Sequence, residues 1–288
     1  MNPDSHRPEP RIEFPLRLTS DFEEVRLAGD VRIHRIDDAS RARILRIERV
    51  VLDENGRIKS YISTSSDPLG GTLVGPELDW YDQLYSSNYV VTVPAPKDAS
   101  DLNFVLKLLG PSFSSLFIGH EEPGTKHFLS PPCYYGDSPL VLREAELTTL
   151  SQLFALKRSA KDAKLELMAE MFLYAMSVAP RKETRFVELS IILEMLLLPT
   201  SSGELSYRFA LRMAKFLAKH WAADPTESFN VGRQIYGARS RLVHAGRDDD
   251  LPQIGPRIEE VVRMLLTKYL SNPALFEDNA LDALCTSG

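Results

Sequence analysis

Arg233-Gln-Ile-Tyr-Gly-Ala-Arg-Ser-Arg-Leu-Val-His-Ala-Gly246 reads as the closing turns of a helix, and the fold of the C-terminal half follows from that reading. Upstream, Asp224-Pro225-Thr226-Glu227 is a strong helix start, with Asp at the cap and Pro at the first position. Phe229, Ile235, Ala238 and Leu242 then form an inward stripe at helical spacing. Gly246 stops the helix, because Gly accepts the left-handed conformation that closes helix ends. The helix therefore delivers Arg239 and His244 to its far end. Arg239 carries a planar fork that grips a phosphate through two parallel hydrogen bonds, and His244 carries the imidazole that exchanges protons near neutrality. One group to hold the phosphate and one to move the proton of a 2′-hydroxyl or leaving oxygen are the minimum for cutting RNA without a metal.

The bland alternative is electrostatic. Arg239, Arg241, His244 and Arg247 also suit a last turn, since the helix dipole favours cations there. Geometry adds a condition: at about 100° per residue, positions five apart stand roughly 140° apart around the helix. The pair then converges through Arg239's long arm, through a loosened last turn, or across two chains.

Working outward, Phe186 to Leu198 is apolar almost all round and reads as a central, buried helix. Glu194 interrupts that run, and a buried carboxylate is costly unless paired. It either pairs with Arg208 or Arg239, orienting the cation, or lies on a narrow exposed strip. Ser201-Ser-Gly-Glu204 is a capping-box pattern that opens the next helix, with Leu205, Phe209, Met213 and Phe216 inward. Tyr207, Arg208 and Arg212 fall away from that stripe, where they snorkel to solvent or line an RNA groove. Asp248-Asp-Asp250 sits awkwardly beside a phosphate site and caps or precedes a helix over Pro256 to Leu270, whose inward stripe is Ile258, Val261, Leu265 and Tyr269. Asn272-Pro273 opens a last short helical piece ending near Cys285.

The segment Tyr236-Gly-Ala-Arg239-Ser240-Arg-Leu-Val-His244-Ala-Gly246 resembles the signature of HEPN domains: Arg, a small polar residue, then His after four to six residues. Arg185-Phe-Val-Glu-Leu-Ser-Ile-Ile-Leu-Glu194 followed by Glu204-Leu-Ser-Tyr207-Arg208-Phe-Ala-Leu-Arg212 is similar to the ApeA-like branch, where a helix ending in Leu-Glu precedes a Tyr-Arg helix. The resemblance implies an all-α HEPN-type bundle and a metal-independent endoribonuclease without a cofactor, of the sort used in toxin-like growth arrest and anti-phage defence. It implies Arg239, His244 and Ser240 as catalytic residues, Glu194 as their support, and Tyr207, Arg208, Arg212, Tyr236, Arg241 and Arg247 as RNA contacts. Partners would be RNA, either tRNA or mRNA, a second copy of the chain in a shared cleft, and a phage-derived trigger or an antitoxin. A non-catalytic HEPN module for RNA or protein binding, and a sensor of a phage component, are the rival readings.

The chain has 288 residues, 43% of them hydrophobic, enough for two cored domains. Its net charge of −6 argues against a non-specific nucleic-acid binder. Residues 184–247 carry nine Lys or Arg against five Asp or Glu, a local +4 against −10 elsewhere, so the basic region is the one with the motif. Two distant cysteines, Cys133 and Cys285, predict neither zinc nor disulfides and fit a reducing cytoplasm. His120-Glu-Glu-Pro-Gly-Thr-Lys-His127 lacks the His-Glu-x-x-His spacing of a zinc site and reads as a solvent-facing turn. The apolar runs are too short for a membrane span.

Residues 1–11 read as a polar, Pro-rich tail rather than a signal peptide, 12–138 as a mixed α/β domain, and 139–288 as the helical domain. Strands are expected at Ile12 to Leu18, Val31 to Ile36, Ala42 to Ile47 and Tyr89 to Val93, each with one wet face. Helices are expected at Glu77 to Tyr85 and at Asp98 to Leu109, the latter capped by Ser100 or Asp101 and stopped by Gly110. The Pro-rich stretch 130–139 marks the boundary. Glu144 to Leu156 and Asp162 to Val178 then supply the outer face of the bundle.

Overall fold

Tyr89–Val93 is buried on both faces, Thr92 included, and it organises the N-terminal half. The structure, a computed structural model, describes residues 12–16, 18–38, 40, 47–52, 54, 58–63, 88–110, 120–122, 125–127, 140–177, 181–200 and 204–286. Expected elements at 77–85 and 42–46, and the Ser201 to Gly203 part of the capping box, lie outside these residues. The chain divides into two units after Arg158.

In the first unit the elements are β1 (Ile12–Leu16), β2 (Leu18–Thr19), β3 (Glu24–Arg26), β4 (Arg32–Arg35), β5 (Ile47–Leu52), β6 (Ile58–Ser63), β7 (Tyr89–Val93), α1 (Pro96–Leu109), β8 (His120–Glu122), β9 (Thr125–His127), β10 (Leu140–Val141) and α2 (Glu144–Ser159). Antiparallel pairing gives a sheet of order β1-β7-β4-β3, with Ile12 opposite Val93 and Ile33 opposite Val91. The expected wet face is missing from β7 because it is an inner strand between β1 and β4 whose other surface is covered. His120 stands opposite His127 across a two-stranded antiparallel ladder, where a turn alone was expected.

α1 begins at Pro96 after Ala95, with no side-chain cap, so neither Ser100 nor Asp101 caps it. Asp101 is buried instead, and Lys157 of α2 donates to its Oδ1 at 2.7 Å; Arg158 Nε donates to Asp98 Oδ1 at 2.7 Å. These pairs explain why α2, expected on the outer face of the bundle, belongs with the first unit: Lys157 is itself buried, and a buried cation needs its carboxylate.

The second unit is all helical among the described residues. It runs α3 (Ala163–Ser177), α4 (Lys182–Leu197), α5 (Leu205–Trp221), α6 (Pro225–Ala245), α7 (Leu251–Ser271), a 3-10 turn (Pro273–Phe276) and α8 (Asp278–Thr286). α4 packs against α3, α5, α6 and α7, which is the central position its all-round apolar sequence predicts. Phe209, Met213 and Phe216 of α5 turn inward as expected, while Leu205 at its start is exposed. α7 starts five residues earlier than expected, at Leu251, and holds Pro256 within it; its stripe Ile258, Val261, Leu265 and Tyr269 is buried. Among the described residues no helix is long and apolar enough to cross a membrane.

A close helix crossing ties the helix that carries the motif to its neighbour. A Cβ on Gly232 of α6 would stand 2.9 Å from the Ala210 Cα of α5, so only glycine lets the two backbones meet there. Gly232→Ala gains up to about 1 kcal/mol of helix propensity but overpacks the crossing, which costs about 1–3 kcal/mol. A lower urea midpoint is the expected result, and an unchanged or higher one would show that the helices part easily.

Candidate functional site

α6 forms as the sequence predicts at both ends. Asp224 accepts a hydrogen bond from the Glu227 N–H at 2.7 Å, and Pro225 takes the first position. At the other end Gly246 adopts φ 72° and its N–H donates to the Leu242 carbonyl at 2.9 Å. Ser228, Gly232, Ile235, Ala238 and Leu242 are the buried stripe. Phe229, expected inward, is half-buried at the edge instead, its ring edge-on to Tyr207 with centroids 5.6 Å apart.

Arg239 lies beside the buried stripe and turns toward α4. Its Nε is 3.4 Å from Glu194 Oε1, with the side chains 30% and 26% exposed. Of the alternatives for Glu194, pairing with Arg239 is the one found; Arg208 sits 3.5 Å from Asp282. The pair is longer than a charge-assisted hydrogen bond, and Arg239 Nε is buried without an acceptor. Charge, rather than a closed hydrogen bond, holds the guanidinium.

Burial lifts the Glu194 carboxyl above its ordinary value of 4.5, and Arg239 pulls it back only in part. A carboxyl raised on folding favours the folded state while protonated, and that contribution is lost as pH climbs through the raised value. Glu194→Gln stays neutral throughout. Its stability relative to the native chain is therefore expected to increase in urea unfolding as pH rises from the ordinary carboxylate value through the raised one, and a flat or falling difference would place the carboxylate in a more favourable setting than its burial indicates.

His244 is exposed in the last turn of α6 and Ser240 is half-buried. Because α6 is unbroken from Pro225 to Ala245 and closes regularly on Gly246, the last turn is not loosened. Arg239 and His244 keep the roughly 140° separation of an ideal helix, one facing α4 and the other solvent. The structure thus brings Arg239 to Glu194 and leaves His244 outside that contact.

Three expected RNA contacts are otherwise engaged, Arg208 by Asp282 at 3.5 Å and Arg212 and Arg241 more closely. Arg212 is 1% exposed; it donates to the Leu197 carbonyl at 2.7 Å, to Asp278 Oδ1 at 2.8 Å and to Asp282 Oδ1 at 2.7 Å. Its guanidinium fastens α8 to α4 and α5 and does not line a groove. Arg241 donates through Nε to Asp248 Oδ2 at 2.8 Å and lies 3.4 Å from Asp250 Oδ2. The acidic triplet that looked hostile to a phosphate therefore neutralises Arg241, and Asp248 also accepts from the Asp250 N–H at 2.8 Å. Asp250 occupies the cap position of α7 without capping it through its side chain.

Tyr207, Tyr236 and Arg247 remain in accessible positions: Tyr207 is 54% exposed, Tyr236 is half-buried against Phe209 at 5.7 Å, and Arg247 is exposed. Asp248, Asp278 and Asp282 are the polar partners that sequence reasoning missed. Asp248 lies seven residues after Arg241, on the far side of a helix end, and such a pairing has no periodic signature. Comparison with family models, with curated proteins and with solved structures finds no match in any of the three.

Proposed function

We propose that the chain is a metal-independent endoribonuclease of HEPN type that works as a homodimer, with the α6 ends of two copies facing each other. The observation that carries the reading is the placement of Arg239 against Glu194, one helical face away from an exposed His244 on the same regular helix. A guanidinium held mainly by charge can exchange its carboxylate for a phosphate, and an exposed imidazole can reach a substrate. Since the two groups face apart within one chain, a second copy supplies the missing half of each site.

In this mechanism an imidazole removes the proton of the 2′-hydroxyl, and O2′ attacks the adjacent phosphorus. The bond to the 5′-oxygen breaks, that oxygen leaves as a hydroxyl after taking a proton, and a 2′,3′-cyclic phosphate remains. Arg239 stabilises the pentacoordinate phosphate, and Ser240 hydrogen-bonds a phosphate oxygen. The setting we propose is anti-phage defence or toxin-like growth arrest in the cytoplasm, on tRNA or mRNA, released by a phage-derived trigger or by loss of an antitoxin.

The test is incubation of the purified chain with mixed RNA in EDTA. Products ending in a cyclic phosphate are expected; cutting that needs added divalent metal overturns the mechanism. A second reading draws on the same geometry: Glu194 already engages Arg239, which suits a module that binds RNA or protein without cutting. Binding without cleavage, with or without a phage lysate, would favour it, and cutting only after lysate is added would indicate a sensor.

A further inference from the structure

Beyond the motif, α6 carries a second pattern. Phe229, Arg233, Tyr236, Ser240 and His244 follow one another at spacings of four, three, four and four residues, which places them along one face of the helix. That face is neither the buried stripe nor the side toward α7, where Glu227 meets Arg257 at 3.3 Å. It runs along the edge shared with α5: Tyr207 closes one end edge-on to Phe229, and Tyr236 leans on Phe209 in the middle. Arg233 and His244 are exposed on it, and Arg247 continues its direction past the helix end. No carboxylate of α6 lies on this face, since the acidic residues of the helix and its cap, Asp224 and Glu227, both line the cleft toward α7.

We infer that this face is a lane for single-stranded RNA, with the Tyr207–Phe229 pair as a base-stacking station remote from the scissile phosphate. The inference rests on the ribonuclease reading and names its substrate class. From Phe229 to His244 the helix rises about 22 Å at about 1.5 Å per residue, so the station holds a base several nucleotides from the cut. The chemistry fits one strand rather than two: every unpaired base offers a face to an aromatic ring, and arginine follows the backbone between rings. A duplex hides those faces. Arg212 and Arg241, whose charges are taken by Asp278, Asp282, Asp248 and Asp250, lie outside the lane.

The experiment measures binding separately from cutting, by fluorescence anisotropy of full-length His244→Ala chain with a three-nucleotide RNA, a ten-nucleotide RNA and a ten-base-pair duplex. Tyr207→Ala is expected to weaken the ten-nucleotide RNA on the order of tenfold while changing the three-nucleotide RNA far less. Tyr207→Phe, which keeps the ring, is expected to bind like the parent. Arg233→Glu, at an exposed position that does not test folding, is expected to weaken the ten-nucleotide RNA in the same way and to flatten its salt dependence. Equal losses for short and long RNA, no loss for the long RNA, or duplex binding as tight as single-strand binding overturn the lane. So does a shift from dimer to monomer in Tyr207→Ala with RNA affinity unchanged, which would make this face a contact between copies. Failure of the nuclease reading looks different: the unsubstituted chain leaves RNA intact while the length dependence of binding stands.

Discussion

Arg239→Ala and His244→Ala are each expected to slow RNA cleavage on the order of 10²–10³-fold, the effect of removing one preorganised group from a transition state, or about 2.7–4 kcal/mol. The two losses should not add, because each group is useless without the other; the double variant is expected to be little worse than either single one. A sharper outcome follows from the geometry. If Arg239 of one copy works with His244 of the other, a dimer of one Arg239→Ala chain and one His244→Ala chain contains one site with both groups intact. Mixing the two inactive variants and allowing exchange should restore about a quarter of the native rate, since about half the dimers are mixed and each mixed dimer has one of two sites intact. Were both groups to act within one chain, the mixture would stay inactive. Native cleavage rates in either single variant would end the mechanism altogether.

Arg212→Ala carries the largest expected effect on stability. The side chain is 1% exposed and bonds a backbone carbonyl of α4 and two carboxylates of α8 at once. Removing it leaves the Leu197 carbonyl without that donor, opens a cavity beneath α5, takes the arginine from Asp278 and leaves Asp282 with only the longer contact to Arg208. Breaking a buried pair costs about 3–5 kcal/mol, and the low end applies here because Asp282 is half-exposed and keeps much of its hydration. A fall of about 3 kcal/mol in urea unfolding is expected, with protease sensitivity appearing first at α8. Arg212→Lys should recover little, since one ammonium cannot span three acceptors in the plane of a guanidinium fork. A loss below about 1 kcal/mol would mean that α8 is held by its apolar side, through Leu281 and Leu284, instead.

What sequence could reveal here tracks how far the deciding interaction reaches along the chain. Asp224, Pro225 and Gly246 act on backbone groups within one turn, so both ends of α6 were readable from residue type alone. The central place of α4 was readable too, because an element that is apolar almost all round has to be enclosed. Arg212 was not: seen on its own helix it falls off the apolar stripe, and the charges that make its burial tolerable, Asp278 and Asp282, come more than sixty residues later. Lys157 and Asp101 are the same case in the first unit, and they decide where α2 packs. In the site, the Glu194–Arg239 contact was visible as an unpaired carboxylate in an apolar run, one of two partners being right. The occupation of Arg241 by Asp248 was not, since three acidic residues after a helix look like repulsion until one of them folds back.

The crossing at Gly232 has a mechanical meaning. Where the Gly232 backbone meets that of Ala210 no side chain stands between the two, so this one point is expected to be the stiffest join between α5 and α6, while the ring contacts elsewhere along them can repack.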